Sequence, residues 1–364
     1  MARVGYLRLF VFFAAASMVA VAADSLGGAA IAAPPASPPP PSTLTEPATT
    51  WDLPACTPVA TTKQTQANGA IVTRYVVNGV AFSQTTPPAG FDPLTASDAD
   101  LAANGFPARP TDPNELAIWQ AVARSSVAPP APCVLAGVSA GSTGGFSVTS
   151  TATWAGIVDR TQEPSQYTYA GGEFYQTGFN NACTNGHSAS WVGLGGFNQP
   201  DLAQTGTLDN QNGQARDFHE VLYHGSDTGA ISNGLLIRPG DQVFASVLKS
   251  SGANVINYSV LNITLGTSTG WMSTGDFDGN TTGSSADFVD EAPKVGGVNS
   301  PLRQWYNANI LWTEVLYELN YGPSYAAGST FHYDVNMARS DTLAGPTYEM
   351  VNNNEFYDFW YHCT

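Results

Sequence analysis

From Val138 onward the chain consists of short stretches rich in β-branched and aromatic residues: Tyr167–Tyr175, Gln242–Leu248, Val255–Leu265, Ile310–Tyr317 and Phe356–Tyr361. Gly, Asn, Ser and Pro separate them. β-Branched and aromatic side chains suit the pleated, half-buried surface of a strand, and the separating residues supply turns. No amphipathic helical pattern of ordinary length follows residue 125, so the strands do not alternate with crossover helices. A βαβ architecture is therefore excluded in favour of an all-β sandwich or barrel. No fixed-period repeat is present.

The N-terminal third is organised differently. Arg3 and Arg8 precede an apolar run from Leu9 that ends in Ala20-Val21-Ala22-Ala23, the pattern of a secretory signal peptide over residues 1–23. The run falls short of the roughly 20 apolar residues a membrane-spanning helix needs. Half the residues from Pro34 to Pro47 are proline, so 24–50 reads as an extended linker. Residues 51–136 form a small mixed extension, either a stabilising addition or a removable pro-segment. Within it, Asn78-Gly79 lies between Tyr75-Val76-Val77 and Val80-Ala81-Phe82, which predicts a two-residue hairpin. Asp112-Pro113-Asn114-Glu115 supplies a cap, a first-turn proline and an early acid ahead of Leu116, Trp119 and Ala123, which predicts one short helix.

Charge narrows the partners. With 13 Lys and Arg against 29 Asp and Glu, the net charge is −16, and a basic face for nucleic acid or anionic lipid is lacking. Cys56, Cys133, Cys183 and Cys363 show neither CxxC nor zinc spacing, so one or two disulfides in an oxidising compartment are expected. By position alone, Cys56 pairs with Cys133 and Cys183 with Cys363. No cofactor or metal is expected, and the mature protein is expected to be an extracellular monomer.

Several motifs read blandly on their own. Gly137-Val138-Ser139-Ala140-Gly141 matches GxSxG, yet Ser142-Thr143-Gly144-Gly145 cannot start the helix that a nucleophile elbow requires. Asp276-Phe277-Asp278-Gly279-Asn280 has its glycine too early for an EF-hand loop and reads as a surface turn. His187, His219, His224, His332 and His362 show no metal-binding spacing.

Four stretches in order carry a more specific signal. Thr153-Trp154-Ala155-Gly156 is similar to N-W-A-G, and Trp191-Val192-Gly193-Leu194 to W-V-G-I-D-G. Leu202-Ala203-Gln204-Thr205-Gly206 is similar to L-Q-T-G, and Ala286-Asp287-Phe288-Val289-Asp290-Glu291 to A-E-F/W-I-(I/V)-E. Together they resemble the glutamic peptidases, the eqolisin family, in a secreted bacterial-type form, over about residues 148–361. Ile237-Arg238-Pro239-Gly240-Asp241, Met350-Val351-Asn352-Asn353, and Pro87 to Leu94 with Gly105-Phe106-Pro107 also look like family features. The chain departs from the pattern at Gly195, in place of an aspartate, and at Phe218-His219-Glu220-Val221-Leu222, in place of W-Y-E-W-Y.

The resemblance implies an antiparallel, concanavalin/lectin-like β-sandwich of two packed sheets over 137–364. It further implies a pepstatin-insensitive acid endopeptidase acting on polypeptides, with Gln204 and Glu291 as the catalytic dyad. Glu291 would deprotonate water and later protonate the leaving amine. Gln204 would orient the water and donate to the oxyanion, since an amide offers an acceptor and two donors. Glu220, Trp154 and Trp191 would contact substrate. Low Lys and Arg content keeps positive self-repulsion small in acid, which suits such an enzyme. Three rival readings are a secreted carbohydrate-binding sandwich, a glycoside hydrolase using Glu220 and Glu291, and an inactive family member.

Overall fold

Asn78 and Gly79 both take left-handed backbone, φ 47° and 85°, the geometry of a two-residue turn matched to strand twist. They join β3 (Ile71–Val77) to β4 (Val80–Thr86), with β1 (Cys56–Pro58) and β2 (Thr62–Thr65) before them. In this computed structural model the described residues are 56–364, apart from 128–129, 136–137, 140–149, 161–166, 179–182, 184, 198, 200, 210–214, 224, 251–254, 276–282, 306–307, 320–323, 328–331 and 347–353. The signal and linker spans, most of the GxSxG stretch, the Asp276–Asn280 run, His224 and Met350–Asn353 lie outside them.

Two helices follow the hairpin, α1 (Asp98–Ala103) and α2 (Pro113–Arg124), where the sequence predicted one. α2 begins as expected, with the Asp112 carboxylate accepting from the N–H groups of Asn114 and Glu115. α1 has only 6 residues, capped by Ser97, which is too short to show a helical period. β5 (Ser126–Val127) and β6 (Cys133–Leu135) complete the extension.

Beyond it come β7 (Val138–Ser139), β8 (Ser150–Thr151), β9 (Trp154–Arg160), β10 (Tyr167–Tyr175), β11 (Ala189–Gly195), β12 (Leu202–Asp209) and β13 (Ala215–Tyr223). Next are β14 (Ser226–Asp227), β15 (Ile231–Ser232), β16 (Leu236–Ile237), β17 (Gln242–Lys249), β18 (Val255–Asn262), β19 (Thr267–Ser268), β20 (Met272–Gly275) and β21 (Ser285–Glu291). The chain ends with β22 (Lys294–Val295), β23 (Val298–Asn299), β24 (Asn309–Leu319), β25 (Ser324–Ala326), β26 (His332–Ala338), β27 (Thr342–Pro346) and β28 (Phe356–Trp360).

The long strands pair antiparallel. One ladder runs β26, β9, β21, β11, β12, β13. The other runs β27, β28, β24, β10, β17, β18, β20, β4, β3, β2. A single apolar cluster takes alternate residues from both, Val192, Leu194, Ala203 and Val221 from the first and Ala170, Phe174, Val243 and Val260 from the second. The fold is thus mostly antiparallel β with few helices.

The extension is woven into this arrangement. β4 pairs with β20, and β6 pairs with β15 beside β13. Tyr75, Val77 and Phe82 belong to the same buried cluster. Both cysteine pairs form, Cys56–Cys133 and Cys183–Cys363, with Cα atoms 5.4 and 5.5 Å apart. Among the described residues no helix is long and apolar enough to cross a membrane.

Candidate active site

Along a strand, side chains alternate faces, and residues directly opposite on neighbouring strands share one. On β11, Val192 and Leu194 enter the core between the ladders, so Ala189, Trp191 and Gly193 face the other way, where Ala189 and Trp191 join a second apolar cluster. Gly193 lies opposite Gln204, and Gln204 opposite Glu220. Ala189 lies opposite Glu291, and Glu291 opposite Trp154. All five residues singled out in the sequence therefore share one face of one ladder. Each is buried, with Gln204, Glu220, Glu291 and Trp191 fully so.

They fall in two cross-strand rows. Gln204 belongs to a cross-strand row of Asp287, Gly193, Gln204 and Glu220, on β21, β11, β12 and β13 in turn. Glu291 belongs to a different row, with Trp154, Ala189 and Leu208. The two rows are offset by four residues along β11, about 13 Å at roughly 3.3 Å per residue. The Glu291 side chain leans along the sheet toward the Gln204 row, since its Oε2 accepts from Trp191, two residues beyond Ala189 on β11. Glu220 and Glu291, paired in the glycosidase reading, are likewise in separate rows. Two carboxyls share the row of Gln204, Glu220 directly opposite it and Asp287 across Gly193. The period-two alternation of Ser285–Glu291 could have shown that Asp287 and Glu291 share a face, but which of them stands beside Gln204 depends on cross-strand register.

Gly193 stands between Asp287 and Gln204 and is closely covered. A Cβ placed on it would lie 2.9 Å from Trp191 Cζ3 and 3.0 Å from Leu202 Cδ1, so the indole and the leucine methyl fill the space over it. The Trp191 Nε1–H donates to Glu291 Oε2 at 2.9 Å, and the ring meets Trp154 edge-on at 4.9 Å. Gln204 Nε2–H donates to Glu220 Oε2 at 3.0 Å, which fixes the plane of the amide. After β11, Gly195 and Gly196 take left-handed backbone, φ 84° and 91°. This turn carries Phe197 back to Tyr333 on β26, where the rings lie 5.6 Å apart.

Charge on this face is tuned by burial. Asp287 is held well above the ordinary carboxylate range, first by burial and then by the charge of Asp159, with the Ser285 hydroxyl opposing. Neither Asp287 oxygen meets hydrogen-bonding geometry with a described residue. On the opposite face, Asp290 accepts from Ser190 Oγ and from Trp312 Nε1 at 2.9 Å. Burial raises both Asp290 and its neighbour Asp358. His219, on that core side beside Glu220, is bonded to the Tyr75 hydroxyl at 2.9 Å, and burial lowers its pKa to about 3. Among the described residues no group of three or more His, Cys, Asp and Glu could hold a metal ion.

No protein-family profile matches the sequence, and no curated protein does. Among solved structures the chain is similar to scytalido-glutamic peptidase with a peptide-based transition-state analogue, at 14% identity and a TM-score of 0.46, covering 58% of this chain and 98% of that one. It is similar to an eqolisin-family peptidase in complex with the tripeptide Ala-Ile-His, at 14% identity and a TM-score of 0.43, covering 58% and 98%. It is also similar to aspergilloglutamic peptidase from Aspergillus niger, at 16% identity and a TM-score of 0.40, covering 48% and 99%.

Proposed function

We propose that this chain is a secreted endopeptidase that hydrolyses polypeptides with Gln204 and the carboxyl that faces it across Gly193, Asp287. The observation that supports this most is the row itself. A fully buried carboxyl, with only the Ser285 hydroxyl near enough to favour its charge, stands beside a fully buried amide, and only a glycine separates them. Burying a carboxyl without partners is costly unless it is protonated or serves a ligand. The motif that carries Gln204 supports the same reading, whereas the resemblance assigns the acid to Glu291. In it, 137–364 is a lectin-like sandwich of two packed sheets, 51–136 stays attached, and the mature protein is a monomer without a cofactor.

The chemistry is that of a water addition. Asp287, ionised, takes a proton from a water whose oxygen forms a bond to the peptide carbonyl carbon. Gln204 orients that water through its carbonyl oxygen and donates an N–H to the oxyanion that develops. The C–N bond then breaks as Asp287 delivers the same proton to the leaving nitrogen. Glu220 keeps the amide plane in place through its hydrogen bond to Nε2. Trp191 and Leu202 cover Gly193 and must move aside to admit a peptide bond. Entry requires the side chains that cover the row to move outward, since the row is fully buried.

Because burial raises Asp287, ionisation of the base occurs at a higher pH than for an exposed carboxyl. The acid limb of activity therefore lies at a higher pH than an exposed carboxyl would place it. The test is degradation of an unfolded polypeptide by the full mature chain, with pepstatin present, from about pH 2 to pH 8, a span chosen to cover carboxylate titration. Pepstatin-resistant cleavage that disappears in Gln204→Ala and in Asp287→Asn is expected. Cleavage that survives both substitutions refutes the assignment.

A further inference from the structure

Behind the face that carries Glu291, β21 sends Asp290 into the core between the ladders, and β28 of the other ladder sends Asp358 to meet it. Both are fully buried. Asp290 lies opposite Ser190 on β11 and Ala155 on β9, and Asp358 lies opposite Ile310 on β24 and Pro346 on β27. Two donors reach Asp290, the Ser190 hydroxyl at Oδ1 and the Trp312 indole N–H at Oδ2. Neither Asp358 oxygen meets a donor among the described residues, and its hydrogen-bonding neighbour is the Asp290 carboxyl. Two carboxylates offer each other only acceptors, so a proton has to lie between them. Asp290 already has two donors and is the better carboxylate; Asp358 is the acid that keeps the proton and donates it. Asp334 on β26 also faces Asp358 with a like charge, and its Oδ1 lies 3.6 Å from His332 Nε2. In the A-E-F/W-I-(I/V)-E pattern the place of Asp290 belongs to Ile or Val, which could hold no proton.

We propose that Asp290 and Asp358 form a proton-held clasp between the two ladders, closed in acid and opened as pH rises, which limits the pH range over which β21 stays in place. Burial raises both acids, and at Asp358 the charge of Asp290 and then that of Asp334 add to it. Since the folded values lie above the unfolded ones, the contribution of the clasp is complete below the unfolded carboxylate range. It is lost as pH rises through the titration of the folded pair, when two buried negative charges face each other. β21 carries Asp287 on its other face and ends at Glu291, so opening of the clasp disturbs the strand that bears the candidate acids. The clasp itself does not depend on the peptidase reading.

The experiment compares the wild type with Asp358→Asn and Asp290→Asn, all as the full mature chain. Asp358→Asn keeps a donor toward Asp290 that no rise in pH removes. Relative to the wild type, its urea midpoint is expected to rise between about pH 4 and about pH 8, so that the two profiles diverge. Groups that titrate alike in both proteins cancel in that difference. Asp290→Asn also ends the repulsion and should flatten the profile in the same direction, which keeps the test if Asp358→Asn does not fold. A second readout sees the proton itself. At about pH 6, above the ordinary carboxylate range, the infrared difference between wild type and Asp358→Asn should contain the C=O band of one protonated carboxyl. Where a polypeptide is cleaved, the alkaline limb of kcat/KM should move to higher pH in Asp358→Asn. Parallel urea profiles for wild type and variants, or a difference spectrum without a carboxylic-acid band, overturn the proposal. If the wild type cleaves nothing, the peptidase reading fails, and the midpoints and the band still decide whether the clasp exists.

Discussion

Replacing Glu115 by Gln removes a buried carboxyl from the seam between α2 and β24. Glu115 is 5% exposed, and its Oε1 has no partner among the described residues. The groups that face it are Glu318 on β24, the α2 cap Asp112, Ser324 on β25 and the Tyr169 hydroxyl on β10. Burial, the charge of Glu318 and that of Asp112 raise its pKa from 4.5 to about 8, with the Ser324 hydroxyl opposing. Burial likewise raises Glu318 to about 7. Since the folded value lies above the unfolded one, the stabilising contribution is complete below the unfolded pKa and is lost as pH rises through the folded one. A tenfold change in proton affinity is worth about 1.4 kcal/mol, so the Glu115 displacement amounts to roughly 5 kcal/mol. Solvent screening at the helix edge reduces the expected loss to about 2–4 kcal/mol. Urea denaturation at about pH 4 and about pH 8 should show the wild type losing that much stability, and Glu115→Gln losing clearly less. A wild type more stable at the higher pH, or a variant with the same pH dependence, refutes the reasoning.

Other expectations follow from the same contacts. Gly193→Ala brings a Cβ to 2.9 Å from the Trp191 ring; it should lower kcat/KM and cost about 1–3 kcal/mol by overpacking, read by kinetics and thermal unfolding. Deleting residues 24–136 takes Tyr75, Val77 and Phe82 from the shared core and Tyr75 from His219; circular dichroism should show an unfolded product, and a folded, active one would mark the extension as removable. Tyr75→Phe should cost about 1 kcal/mol, the net worth of one hydrogen bond, with the loss seen in urea midpoints. Reducing Cys183–Cys363, which spans 180 residues, should cost about 2–5 kcal/mol.

The parts of the fold that rest on local chemistry were legible in the sequence. The Asn78-Gly79 turn needs two residues tolerant of positive φ, and the α2 cap needs an acid before a proline, so both signals are contained in a few adjacent residues. The strand stretches from Tyr167 onward declared themselves by β-branched and aromatic content. What was not legible is pairing at long range. Nothing near Val80–Thr86 indicates that it will lie beside Met272–Gly275 and so join the extension to the core. The candidate site illustrates the same limit. The motifs named Gln204, Glu291, Glu220, Trp154 and Trp191, and the structure sets all of them on one face. Which acid of Asp287-Phe288-Val289-Asp290-Glu291 stands beside Gln204 depends on cross-strand register, and register comes from the whole sheet rather than from the motif.

The decisive measurement is kcat/KM for cleavage of an unfolded polypeptide as a function of pH, for the wild type and for Asp287→Asn in the same folded state. The wild type should cleave, with an acid limb at a higher pH than an exposed carboxyl would give, because burial raises the Asp287 carboxyl. Asp287→Asn should lose cleavage at every pH while unfolding no more readily. An Asp287→Asn protein that still cleaves with the wild-type pH profile would show that the row of Asp287, Gly193 and Gln204 is not where peptide bonds are broken.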